Sequence, residues 1–403
     1  MKQRTRTAPR GCSFIPCFLA LLVRHLTIAM AASILAPDPI VELRLRACDY
    51  HYGMGKLNTP TDVQVADIDD ERDCIVVADV EESCIHVFSS DGRFMHCFGE
   101  PGNGTGQFDG CFNVAINHEE GHVYVADAFN HRVQTFDLAS GKFQDEFGSE
   151  GDAFGEVGAS HGIAYDRDRR LLVVAEYNNN RVQLFTPDGQ PCLMFGTSGS
   201  GDGEFQSPQY VAIDQPTRRI VVSDLDNMRL QVFTADGEFL LAIGREGTQA
   251  GEFKSPNGMC ITREFQYQQH QRHNDNDHDN YHDDDGALVL VADSELNRIQ
   301  AFTLSGRFVS MLELGGTDAL RSPESVAVDS RGRILIADSG NRRVVVVGAG
   351  RWLSLGWRVD RHAHMPASVR IVVYTMTLIR SLEPSLSVSL LPNELLFEIF
   401  QFL

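Results

Sequence analysis

Residues 123–136 read VYVADAFNHRVQTF, and the same phrase returns at 220–233 as IVVSDLDNMRLQVF and at 288–302 as LVLVADSELNRIQAF. Each is a short apolar strand, an acidic residue, a polar loop ending in Arg, and an alternating strand ending in Phe. The acid recurs at Asp79, Asp127, Glu176, Asp224, Asp293 and Asp338, and the base at Arg132, Arg181, Arg229, Arg298 and Arg343. The first unit departs, with Cys84 in the basic slot. The unit returns about every 48 residues from roughly 55 to 350, a period that belongs to repeat architectures.

Working outward, each Arg–Phe strand runs into a hairpin signal: Asp91-Gly92, Ser140-Gly141, Asp188-Gly189, Asp236-Gly237 and Ser305-Gly306. A small polar residue before Gly supplies the positive φ of a tight turn. A fourth strand then ends in an apolar residue plus Gly, as in Phe98-Gly99 and Ile243-Gly244. Gly-rich connectors such as GDGEFQSPQYVAID (201–214) lead into the next unit. Four short strands per unit cannot bury both faces of one sheet, whereas radial stacking buries them and leaves only short edges. The expectation is an all-β, six-bladed propeller of four-stranded antiparallel blades over 38–356, with a short helical segment at the C-terminus. An open solenoid or a sandwich is the bland alternative.

The phrases VADAFNHRVQTF, VAEYNNNRVQLF, VADSELNRIQAF and IADSGNRRVVVV, with the connector GEFQSPQYVAID, resemble the NHL repeat. The resemblance covers about three quarters of the chain and implies a six-bladed propeller used mainly as a docking platform. Propellers of this group include scaffold subunits, ubiquitin-ligase substrate readers, RNA binders and a minority of enzymes.

The net charge of −20 argues against nucleic acid, whose binding draws its affinity from Lys and Arg on phosphates. The repeated Arg residues stand a few positions from repeated acids, which reads as intra-blade pairing. Nine Cys are an odd number without a CxxC pair, so they read as buried thiols, and a RING or B-box zinc site is not expected. No cofactor motif is present, and no apolar run is long enough for a membrane span.

The flanks carry separate signals. Residues 1–37 are basic and acid-free, which reads as a secretory signal, a mitochondrial presequence or an unstructured start. Residues 39–46 (PIVELRLR) alternate and are a candidate strand for closing the ring, in competition with Trp352–Leu355. Residues 263–286 interrupt the fifth unit with a polar, His- and Asp-rich stretch that reads as a disordered loop, in which His270, His273, His278 and His282 are weak metal candidates. Residues 357–389 read as a linker. The final stretch, LPNELLFEIFQFL (391–403), resembles the opening of an F-box. Leu391, Pro392, Leu395, Leu396, Ile399 and Phe400 are the positions that the resemblance assigns to contact with a Skp-type adaptor of cullin ubiquitin ligases. It covers only the first third or so of an F-box.

Two sets of site candidates follow from the repeat. The loops between second and third strands carry Phe129, Asn130, His131, Tyr177, Asn179, Met228, Leu296 and Arg342, types that anchor protein partners or pack neighbouring loops. The first strand of each blade should line the channel, with Asp62, Phe112, His161, Gln209, Tyr210, Asn257 and Glu324 at its mouth. These differ from blade to blade, as a unique site requires. His161, Glu324 and Asp62 are the groups that would converge if the chain were a metal-dependent lyase or hydrolase, but no catalytic constellation is spelled out. The reading is a non-catalytic propeller that binds a protein or peptide, placed in the cytoplasm if the F-box-like tail delivers its partner to a ubiquitin ligase. A secreted or organellar enzyme and an RNA binder are the alternatives.

Overall fold

The computed structural model describes residues 41–43, 57–69, 72–263, 286–314 and 316–348. Six sheets, each of four strands, follow the repeat. Blade 1 runs Pro60–Asp69, Arg72–Asp79, Cys84–Ser89 and Phe94–Phe98. Blade 2 runs Cys111–Asn117, His122–Asp127, Arg132–Asp137 and Phe143–Phe147. Blade 3 comprises Ser160–Asp166, Leu171–Glu176, Arg181–Phe185 and Pro191–Phe195. Blade 4 comprises Pro208–Asp214, Arg219–Asp224, Arg229–Phe233 and Phe239–Ile243. Blade 5 has Pro256–Thr262, Leu288–Asp293, Arg298–Thr303 and Phe308–Leu312. Blade 6 has Pro323–Val328, Arg333–Asp338 and Arg343–Gly348. Consecutive strands within each blade pair antiparallel.

The first strands pack side by side around one axis, and blade 6 packs on blade 1, so the ring closes. The sheet order of blade 6 takes its outermost strand from Val41–Leu43, within the alternating stretch 39–46. The rival closing strand at 352–355, the insertion 264–285 and the F-box-like segment 391–403 lie outside the described residues.

Each blade is held by its recurring acid. Asp127 is fully buried and receives the backbone N–H of Asp109 (2.8 Å), the Asn130 amide (3.0 Å), the Arg132 Nε (2.8 Å) and the Gln134 amide (3.0 Å). Arg132 also donates to the carbonyls of Gly104 and Gln107 in the preceding connector. Blade 3 repeats this with Glu176, Asn179, Arg181 and Gln183, and blade 4 with Asp224, Asn227, Arg229 and Gln231. In blade 6, Asp338 is bound by Asn341 and Arg343. A buried carboxylate is costly unless its lone pairs are taken, and here the donors that take them also fix the loop and the connector.

Two blades depart, each for a visible reason. Leu296 stands in blade 5 where blades 2, 3, 4 and 6 have Asn, so Asp293 loses that amide. Its pair with Arg298 loosens to 3.7 Å, and burial raises the Asp293 carboxyl against the lowering effect of hydrogen bonds and Arg298. In blade 1 the basic slot is Cys84 and the Gln slot is His86. Cys84 Sγ lies 3.1 Å from His86 Nε2, and Asp79 is satisfied by the backbone N–H groups of Asn58 and Thr59.

Aromatic wedges fill the seams between blades. Connector residues Phe108, Phe205 and Phe253 are almost completely buried and pack on Phe136, Phe233 and Phe302, with ring centroids 5.4–5.5 Å apart. This explains the Gly that follows the fourth strand in blades 1, 3 and 4. Gly99 has φ +97°, and a Cβ there would lie 2.3 Å from the Phe108 ring, so backbone conformation and space both demand Gly.

Arg181 tests the clamp. It is nearly buried, pairs with Glu176 at 3.1 Å and donates to connector carbonyls. Arg181→Ala leaves Glu176 buried without its counter-ion and is expected to cost about 3–5 kcal/mol in urea unfolding. Arg93→Ala, which breaks an exposed pair with Asp91, is expected to leave the midpoint unchanged.

Candidate functional site

The first strand of every blade carries a break in register near its start. Pairing to the second strand skips between Pro60 and Asp62, Cys111 and Asn113, Ser160 and Gly162, Pro208 and Tyr210, Pro256 and Met259, and Pro323 and Ser325. A bulge leaves one residue unpaired and re-aims its side chain. The skipped residues are Thr61, Phe112, His161, Gln209, Asn257 with Gly258, and Glu324. Thr61, Phe112, His161, Gln209, Asn257 and Glu324, with Thr59, Val80 and Tyr210, line a cavity of about 300 Å³ at the mouth of the channel.

One residue further in, the channel is plugged. Asp62 is completely buried. It accepts hydrogen bonds from the Tyr210 hydroxyl (2.6 Å), the Ser325 hydroxyl (2.7 Å), the Asn113 amide (2.6 Å) and the Val114 N–H (3.0 Å). Gln64 adds longer contacts at 3.3–3.4 Å, and Asn113 in turn accepts the N–H of Ile163 at 2.6 Å. The knot therefore ties blades 1, 2, 3, 4 and 6. Burial raises the Asp62 carboxyl against the lowering effect of these bonds, and burial with the nearby Asp62 raises the Tyr210 phenol well above its usual value. Asp62 is thus the floor of the mouth rather than part of its rim, and Tyr210 bridges floor and cavity.

One wall of the mouth is an aromatic stack. The His161 ring lies between Phe112 (4.2 Å, 19°) and Tyr177 (4.5 Å, 14°), and Phe129 meets Phe112 edge-on at 5.7 Å. Burial lowers His161 to about 4, opposed by a hydrogen bond with Gln209, so the imidazole is neutral at pH 7. Its Nδ1 is buried without a hydrogen-bond partner. Across the ring, three blades away, stands Glu324, whose Oε2 accepts the Asn257 amide at 2.7 Å. Asn257 also donates to Ser294 Oγ. Burial pushes Glu324 up to about 7, against the lowering effect of Asn257.

The stack joins residues that the sequence suggested as two separate sets. Phe129 and Tyr177 come from loops between second and third strands, and Phe112 and His161 from the channel. Phe129 is 53% exposed and Tyr177 half-buried. The other loop candidates stand differently. Asn130 and Asn179 turn inward, each donating to its blade acid and to a connector carbonyl, so their amides do not point to the face. Their recurrence three residues after the acid was the available signal of that structural role. His131, Met228 and Arg342 occupy left-handed positions that end the loop's single 3-10 turn. Met228 packs on the core between blades 4 and 5, Leu296 is half-buried and Arg342 is exposed. His161, Glu324 and Asp62 do not converge: two stand on opposite sides of the mouth and the third lies below. Among the described residues, no three His, Cys, Asp or Glu side chains gather in metal-holding geometry. The repeated Arg residues are engaged with their blade acids, so they form no exposed basic surface.

Glu324 carries a measurable cost. An unfolded glutamate titrates near 4.3 and the folded one near 7. Between these values the native state holds the extra proton, so stability falls as pH rises from about 4.3 to 7 and then levels. Glu324→Gln removes the penalty. It is expected to gain ~1–3 kcal/mol at pH 8, with the gain shrinking through pH 6 and gone at pH 4, in urea melts at the three values.

Residues 56–149 match a family model described as a 6-bladed beta-propeller, and residues 320–347 match the NHL repeat. No curated protein matches the chain in sequence. A structural genomics protein of unknown function from Bacteroides thetaiotaomicron is similar at TM-score 0.53 and 16% identity, covering 76% of this chain and 73% of that one. An auxiliary nutrient binding protein from Bacteroides ovatus is similar at TM-score 0.53 and 12% identity, covering 73% and 70%. A streptogramin B lyase structure is similar at TM-score 0.48 and 12% identity, covering 72% and 80%. At these identities the likeness to the two Bacteroides proteins establishes a shared fold alone. The chain folds as a six-bladed β-propeller, and its residues 320–347 are similar to the NHL repeat.

Proposed function

We propose that the propeller is a non-catalytic platform that receives a protein or peptide partner across the face carrying the channel mouth. The observation that supports this most is the exposed Phe129 ring, rooted on the Phe112–His161–Tyr177 stack at the rim of a cavity with a closed floor. A large apolar ring held rigidly beside a concavity loses little side-chain entropy on binding, which is how anchor residues gain affinity. The clamp beneath it fixes the loop before any partner arrives. No helix among the described residues is long and apolar enough to cross a membrane.

The finer reading is delivery of the bound partner to a ubiquitin ligase, in the cytoplasm. It is supported only by the F-box-like sequence 391–403, which lies outside the described residues.

Quantitative affinity capture from cells tests the platform. Phe129→Asp is expected to lose at least tenfold of a defined set of partners that the parent chain and Met95→Asp both retain. Met95 is equally exposed but sits on the outer, fourth strand of blade 1. Identical capture by all three proteins rejects the mouth face. Leu395→Asp with Ile399→Asp should abolish co-capture of a Skp-type adaptor; if the parent chain captures none, the ligase arm falls while the platform stands.

A further inference from the structure

The mouth carries a chemical preference, and the argument for it rests on the platform reading above. Its lining holds one carboxylate, Glu324, and neither Lys nor Arg. That carboxylate is partly buried and takes one hydrogen bond, from the neutral Asn257 amide. The blades' own acids are each matched by a base or by several N–H donors; Glu324 faces open space instead. A guest that is neutral would leave the carboxylate with the Asn257 amide and no counter-charge, and an anionic guest would add repulsion to that desolvation. A cation supplies the missing charge.

The opposite wall agrees. Phe112 and His161, from blades 2 and 3, line the far side of the cavity, and the imidazole is uncharged near neutral pH, so that side offers apolar surface and no competing positive charge. A guanidinium also meets a carboxylate through two parallel N–H donors, where an ammonium meets it as a point charge. The cavity of about 300 Å³ sits at the small end of ligand clefts, which suits one long side chain rather than a folded element. The Asp62 knot stops that side chain one layer down. At longer range, the net charge of −20 draws basic partners and repels acidic ones.

We propose that the channel mouth takes a cationic side chain of the partner, an arginine in preference to a lysine, with Glu324 as counter-ion and Phe112 and His161 as the apolar wall beside it.

The probes are the N-acetyl, N-methylamide forms of arginine, lysine, citrulline, glutamate and phenylalanine, titrated against the full chain at pH 8 by ligand-observed NMR. Citrulline keeps the shape of arginine without its charge. The expected result is arginine at least tenfold tighter than citrulline, lysine between them, and no saturation by glutamate. Glu324→Gln should erase the arginine–citrulline difference. Phe112→Ala should weaken arginine and citrulline together. Citrulline binding as well as arginine, or an unchanged preference in Glu324→Gln, overturns the inference. Failure of all five probes to bind also overturns it, while the platform reading is decided separately by the Phe129 comparison.

Discussion

A carboxylate buried at the end of the second strand is the constraint on which the propeller rests. It cannot remain in the interior without donors, and the donors that reach it come from three places: the loop that follows, the third strand, and the connector from the blade before. Asp127, Glu176 and Asp224 each gather all three kinds. One buried charge therefore sets the turn, the strand register and the seam to the neighbouring blade. Blade 5 shows the reverse case, since the change from Asn to Leu296 is accompanied by a longer ion pair. Blade 1 shows that backbone N–H groups alone suffice when the base is replaced by Cys84.

On that uniform frame the register break in each first strand creates a place where the blades differ. The break turns one side chain per blade towards the mouth while the following residue points into the channel. The outer layer is varied: Thr, Phe, His, Gln, Asn and Glu. The inner layer is closed by Asp62 and its donors, with Gly162 and Gly258 where the backbones of the next blades approach to within 2.8 and 2.5 Å of a built Cβ. Repetition thus supplies rigidity, and variation at one position per repeat supplies chemistry.

What could be read from the residues alone follows from the range of the interactions. The acid, the base and the hairpin Gly act within one unit, so their repetition revealed the blades and the pairing of Arg132 with Asp127. Phe112, His161, Gln209, Asn257 and Glu324 were identifiable because they break an otherwise regular pattern. Asp62 was placed at the rim because nothing local shows that its partners are Asn113, Tyr210 and Ser325, which stand up to 263 positions away in sequence. The aromatic stack escaped for the same reason, since it joins blades 2 and 3. Asn130 and Asn179 were read as surface groups although their recurrence resembled that of the structural Arg. Two candidate strands could have completed blade 6, and the sheet order, which no local pattern encodes, assigns Val41–Leu43.

The Asp62 knot has a bearing on how the array comes apart. Repeat proteins in which every unit touches only its two neighbours can fray from an end, one unit at a time. Here a single carboxylate from the first blade is bonded to side chains from the second, fourth and sixth, so none of these four blades can leave without exposing a charge that the others help to shelter. The knot thereby couples sheets that would otherwise be joined only to their neighbours.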